Sequence, residues 1–246
     1  MKRLPMFALI SLFTIVLMGL NTHSVNAQEK LILNTTVSEP LSNTQGVGVT
    51  DLLLREAFKR ANINMEITYV PAERALLNAN KGFDDGTFLR ISGMEKNYVN
   101  LVAVPESVLT FDFVAISKNS KIKPISWDSI KPFSVGIITG WKIAEENTTK
   151  VAMLTKVSLP GQLFQLLKLN RTDLIIYEKL RAQVALQRTP ILSAKILTPP
   201  LAKRSMFLYL NKKHQPLIDR IAVALRAMKK DGTHERLIAQ GLAYYK

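Results

Sequence analysis

The chain has 246 residues, no cysteine and a formal net charge of +14. The missing cysteines exclude disulfides, thiol chemistry and cysteine-held metal, and a chain this long can bury a core without such staples. The basic residues are dispersed, with short clusters such as Lys118/Lys121/Lys123 and Lys229-Lys230 that carry no interleaved aromatics. The charge therefore reads as solvated surface, and no nucleic-acid partner is expected.

In chain order, Lys2 and Arg3 precede an apolar run, Met6–Leu20, and a polar stretch ends Val25-Asn26-Ala27. This is the layout of a cleavable signal peptide over 1–27, with a run short of the ~20 residues that span a membrane. Export without disulfides fits a bacterial periplasm.

Leu31–Val37 reads as the first strand. Thr50 or Asp51 can cap a helix through Asn62, whose apolar stripe is Leu53, Leu54, Ala57, Phe58 and Ala61. Met65–Val70 is a second strand. The stretch after it, from Tyr69 to Gly93, organises the rest. Pro71 opens a helix, Ala75, Leu76 and Ala79 share one face, Gly82 closes it, and Phe83–Leu89 turns into a strand. Arg74 at the helix start and Arg90 after the strand suit one anionic cleft better than a metal site, because no acidic residue accompanies them at helical spacing. Tyr69 and Phe88 stand at strand ends, as ligand platforms or as core. The alternation predicts an α/β fold with helices packed on a parallel sheet.

Leu101–Val104 and Phe111–Ser117 are further strands, and Lys118–Lys123 is a candidate crossing to a second α/β unit. There Phe133–Ile138 is a strand, Thr139-Gly140 a turn and Trp141–Asn147 a short helix. Thr139 offers a hydroxyl. Trp141 offers a ring that either stacks on a ligand or packs. A strand lies within Val151–Val157, Ser158 caps the next helix, and Asn170 closes it. Asp173–Tyr177 is a strand and Glu178–Leu186 its helix. Ile196–Pro200 turns back, Met206–Leu210 is a strand, and Pro216–Lys230 and Thr233–Gln240 are the last helices, the first with Leu217, Ile221, Leu225 and Met228 inward.

Five stretches in this order, GVGVTDLLLREAFKRANI, DDGTFLRISGMEKNY, FSVGIITGWKIAEEN, QLFQLLKLNRTDLIIYEKL and PLIDRIAVALRAMKKDGTHERLI, resemble the bacterial extracellular solute-binding proteins of family 3, across nearly all of 28–246. The resemblance implies a type II periplasmic-binding fold with two lobes, 28–117 plus 203–246 and 118–202, each a mixed sheet flanked by helices. A small polar ligand, amino-acid-like or anionic, is held between them. It also implies delivery to an inner-membrane ABC permease, or alternatively signalling to a membrane receptor, by a monomer with no cofactor or metal. Asp85-Gly86 and Gly93-Met94 match the family pattern, but the arginine that usually follows Gly-Met is absent and Arg90 lies before it. That counts against an ordinary α-amino-acid ligand. Asp173 and Glu178 keep the spacing at which the family's second acid takes a ligand ammonium, and Thr139-Gly140-Trp141-Lys142 matches its second-lobe ligand loop. Glu178 is alternatively a helix-start carboxylate.

No enzyme is expected. His23, His214 and His234 show no metal spacing, and GxSxG and Walker patterns are absent. The enzymatic alternative on this fold is a cyclohexadienyl-dehydratase-like protein with Glu178 or another cleft carboxylate as general acid.

Overall fold

A computed structural model describes residues 30–245, so the expected signal peptide lies outside the described residues. The first unit runs β1 (Leu31–Thr35), α1 (Val49–Arg60), β2 (Met65–Tyr69), α2 (Ala72–Lys81) and β3 (Gly86–Arg90). β1 lies between β2 and β3 and is parallel to both. Leu53, Leu54, Ala57 and Phe58 of α1 are fully buried, which is the stripe the 3.6-residue period demands. Pro71 precedes α2 and Gly82 ends it in the left-handed conformation at φ 79°.

The cap of α1 is Gly48 rather than Thr50 or Asp51. A Cβ at 48 would lie 2.5 Å from the carbonyl oxygen of Leu41, so only glycine fits where the preceding loop presses on the helix start. Asp51 serves from the first turn instead, accepting the N–H groups of Gly48 at 3.2 Å and Asn43 at 3.0 Å. The helix ends at Arg60, before Asn62.

β4 (Leu101–Ala103) and β5 (Leu109–Ser117) follow. The second unit is β6 (Ser134–Ile138), α3 (Lys142–Asn147), β7 (Met153–Val157), α4 (Pro160–Lys168), β8 (Leu174–Glu178) and α5 (Lys179–Arg188). β6 lies between β7 and β8, parallel to both. β9 (Lys195–Ile196) and β10 (Ala202–Asn211) return the chain, and α6 (Ile218–Lys230) and α7 (Thr233–Ala243) close it. The strand order is β2-β1-β3-β10-β5-β8-β6-β7, with β4 on β10 and β9 on β5.

Two long strands join the units. β5 pairs with β10 over its first half and with β8 over its second, while β10 goes on from β5 to β3 and β4. The change of partner thus occurs inside β5. Ser117, just before the expected crossing at Lys118–Lys123, faces Leu174. Leu159, not Ser158, caps α4, because the Gln162 side chain turns back to accept both their N–H groups. The helix expected from Pro216 starts at Ile218, after a tight 3-10 turn over Lys212–Leu217 that contains Pro216. Ile221, Leu225 and Met228 are buried, and Leu217 only half so. No helix among the described residues is long and apolar enough to cross a membrane.

Candidate functional site

The carboxyl ends of β1, β3, β6 and β8 converge, which in open α/β sheets is where ligands sit. Between them lies a cleft lined by Thr35, Thr36 and Ser38 after β1, by Phe88–Ile91 at the end of β3, and by Gly140–Ile143 after β6. Arg181 on α5, Phe111 and Phe113 on β5, Met94 and Met206 complete it, and the space left inside for water is about 50 Å³. Its cations are Arg90, Lys142 and Arg181, and no Asp or Glu lines it.

Arg90 reaches the cleft through a backbone irregularity. Leu89 has φ 60°, rare for a leucine, and the pairing of β3 with β10 slips between Phe207 and Tyr209. Such a bulge re-aims the next side chain. It brings Arg90 onto Thr87, three residues back, which a regular strand would place on the opposite face. Arg90 Nε and Nη2 donate to Thr87 Oγ1 at 3.1 and 3.0 Å, and Nη2 to the Ala72 carbonyl at 3.1 Å. Among the described residues Nη1 has no acceptor. The side chain is 7% exposed, and burial pulls its pKa down to about 10.

Arg181 stands in the first turn of α5 inside an aromatic cage. Its guanidinium carbon is 4.5 Å from the Trp141 ring centre, 4.9 Å from Phe111 and 5.4 Å from Tyr177. Trp141 in turn stacks on Tyr177 with the ring planes 7° apart. Arg181 Nη1 donates to Ser38 Oγ at 3.2 Å across the cleft. Its Nε is buried without a hydrogen-bond acceptor, 3.4 Å from Glu178 Oε2.

A second bridge also crosses the cleft. Lys142 Nζ, at the start of α3, lies 2.7 Å from Glu73 on α2 and 2.7 Å from Glu145 on its own helix. Burial works against the charge on Lys142, but the two carboxylates outweigh it and hold the ammonium above its ordinary range. Beside it Gly140, at φ 87°, lets the β6–α3 turn touch the backbone of Ala72 and Glu73.

No known family model matches the chain. An uncharacterized protein of Shewanella oneidensis is 26% identical over 203 residues, 79% of this chain and 76% of that one. An ancestral arginine-binding protein bound to glutamine superposes with a TM-score of 0.73 at 22% identity, over 85% of this chain and 95% of that one. An amino-acid ABC transporter substrate-binding protein from Streptococcus pneumoniae, bound to L-arginine, gives 0.73 at 16% identity, over 89% and 97%. The chain has the two-lobed fold of the periplasmic binding proteins. A histidine kinase sensor domain with similarity to periplasmic binding proteins shares it, at 0.75 and 13% identity over 87% and 96%.

Within this fold the cleft brings together four of the residues singled out from the sequence, Arg90, Phe88, Gly140 and Trp141. Thr139 stands one residue outside the lining, half-buried, its N–H on the Val157 carbonyl. Arg74 is exposed on α2, outside the lining. Tyr69 is turned away, with its hydroxyl on the Asn43 carbonyl. Asp85 precedes the amino end of β3, the far end of the strand from the cleft. There it accepts the Ile32 N–H at 2.8 Å and faces His214 Nε2 at 2.6 Å and Lys213 Nζ at 2.7 Å.

Glu178 departs furthest from the role its spacing implies. It caps α5, accepting the N–H groups of Leu180 and Arg181 at 2.9 Å each. It lines a separate cavity of about 640 Å³ between β5, α5 and α7 rather than the cleft. In that larger cavity Lys229 is bonded to Glu106 and Ser107. The small cleft holds the donors that have no acceptor. Arg181 and Ser38, with Thr35, Thr36, Phe111 and Phe113, line the cleft without having been singled out in the sequence, and Lys142 appeared there only as the last residue of the Thr139–Lys142 loop. One signal existed for Arg181: a cation in the first turn of a helix opposes the macrodipole and calls for another reason to be there.

Proposed function

We propose that this chain is a periplasmic solute-binding protein that closes two lobes on a small anionic or amino-acid-like ligand and delivers it to an inner-membrane ABC permease. The lobes are 28–117 plus 203–246 and 118–202, and β5 and β10 are the strands that join them. The observation that carries this reading is a cleft lined from both units by cations and by no acid, in a fold whose similar structures include amino-acid ABC transporter substrate-binding proteins. Arg90 anchors the ligand anion, and Trp141 packs beside it on Arg181 and Tyr177. The protein acts as a monomer and releases its ligand unchanged.

Small-angle scattering tests the closure. The radius of gyration falls when ligand is added, and the ligand is recovered intact from the denatured complex. Turnover of the bound compound would instead support the dehydratase-like enzyme. The similarity to a histidine kinase sensor domain supports a second reading, a sensing module. Cross-linking in membranes separates the two, with a permease captured for uptake and a receptor or kinase for sensing.

Export follows from the segment over 1–27. N-terminal sequencing of the protein from an envelope extract is expected to begin near Gln28, and a membrane-bound product that keeps Met1 would overturn this expectation.

A further inference from the structure

Among the described residues, every carboxylate close to the cleft is already engaged. Glu73 accepts from Lys142 and from the Tyr98 hydroxyl. Glu145 accepts from Lys142 and from the Gly140 N–H. Glu178 accepts the first amides of α5. None of the three lines the cleft. A ligand ammonium entering it therefore meets no free carboxylate, and the Trp141 ring face that could hold a cation is taken by Arg181.

The cations are not balanced in the same way. Lys142 is neutralised by its two glutamates and Arg181 Nε lies 3.4 Å from Glu178 Oε2, which leaves Arg90 without a carboxylate and the terminal nitrogens of Arg181 open toward the cleft. Among the described residues Arg90 has no carboxylate within ion-pair distance, and its bonds go only to a hydroxyl and a carbonyl. Arg181 keeps a buried Nε with no hydrogen-bond acceptor, and only one of its terminal nitrogens is bonded. A buried donor without an acceptor is costly, and two nearby guanidinium groups repel any third cation. The repulsion would act directly on an amino group.

We propose that the cleft takes a short dicarboxylate without an amino group, one carboxylate on Arg90 and the other on Arg181. This rests on the reading of the cleft as a solute site and deepens it by naming the ligand class. Guanidinium groups grip carboxylates through paired parallel hydrogen bonds, so two arginines select two carboxylates. The free space of about 50 Å³ corresponds to a few waters at about 10–15 Å³ each, which calls for a short spacer.

The test is calorimetric titration of the purified exported protein with matched pairs: succinate against L-aspartate, and glutarate against L-glutamate. Butyrate serves as the acid with a single carboxylate. Succinate or glutarate is expected to bind at least tenfold more tightly than its amino counterpart and than butyrate. If aspartate or glutamate binds as tightly or more so, the proposal fails while the solute-binding reading stands. If no compound binds, both fail. Arg181→Gln is expected to lower succinate affinity at least tenfold, to the level of butyrate, and to leave butyrate unchanged. Arg181→Lys, checked by circular dichroism, replaces it should the glutamine variant not fold. Parent-like succinate binding in the folded variant would overturn the assignment of Arg181, and the matched pairs on the parent need no variant at all.

Discussion

Arg90→Ala is expected to weaken ligand binding ten- to a hundredfold, because a charge-assisted hydrogen bond contributes about 1.5–3 kcal/mol net and each decade of affinity is about 1.4 kcal/mol. Arg90→Lys recovers little, since a point charge cannot span both oxygens of a carboxylate. Arg74→Ala, on the exposed face of α2, binds like the parent. The same change has a smaller consequence for the empty protein. Burial pulls the Arg90 pKa down to about 10, so the empty cleft disfavours its charged form. Arg90→Met fills a similar volume without a charge. It gives up the three charge-assisted bonds to Thr87 and the Ala72 carbonyl, each about 1.5–3 kcal/mol, which offsets the relief of the buried charge. The ligand-free Arg90→Met variant is therefore expected to melt close to the parent temperature despite losing these bonds. Ligand then raises the parent's melting temperature and leaves the variant's where it was. Parent-like affinity in Arg90→Ala would remove Arg90 from the site.

The residues that made the fold legible are those whose meaning is local. Pro71 and Gly82 bracket α2 because one fixes φ and the other tolerates a positive φ, whatever surrounds them. The stripe of α1 needed only its own period. The turn at Gly140 and Trp141 was legible for the same reason. The rest of the site depends on things a single strand or helix does not contain. Arg90 points into the cleft only because Leu89 departs from the strand conformation. Arg181 is buried by rings from the β6–α3 turn, β5 and β8, three elements far apart in the chain. Asp85 was set near ligand by its match to the family's Asp-Gly pattern and Tyr69 as an aromatic at a strand end, yet Asp85 stands before the amino end of β3, at the far end of the strand from the cleft. For Glu178 the spacing from Asp173 fixed the position and could not fix the direction of the carboxylate, which the amides of its own helix captured.

Gly140→Ala is expected to leave a folded protein that cannot close. A Cβ on residue 140 would lie 2.4 Å from the Glu73 amide nitrogen and 2.8 Å from the Ala72 carbonyl carbon. These are backbone atoms at the start of α2 on the other side of the cleft, and no rotamer change moves them. The left-handed conformation at φ 87° adds about 1–2 kcal/mol for any residue with a Cβ. The turn can relieve the clash by drawing back from α2, and that separates Lys142 from Glu73. Arg181 would then lose its reach to Ser38. With closure blocked, contacts made from both sides at once are lost. At about 1.5–3 kcal/mol for each of at least two charge-assisted bonds, affinity falls on the order of a hundredfold or more. Gly232→Ala is the control. It has a similar φ of 77° but no atom within 4 Å of the added carbon, so it carries the backbone strain without the clash. Scattering should show the parent and Gly232→Ala compacting with ligand while Gly140→Ala stays extended at saturating concentration. Equal compaction and equal affinity in the two alanine variants would mean that the contact between the β6–α3 turn and α2 does not limit closure.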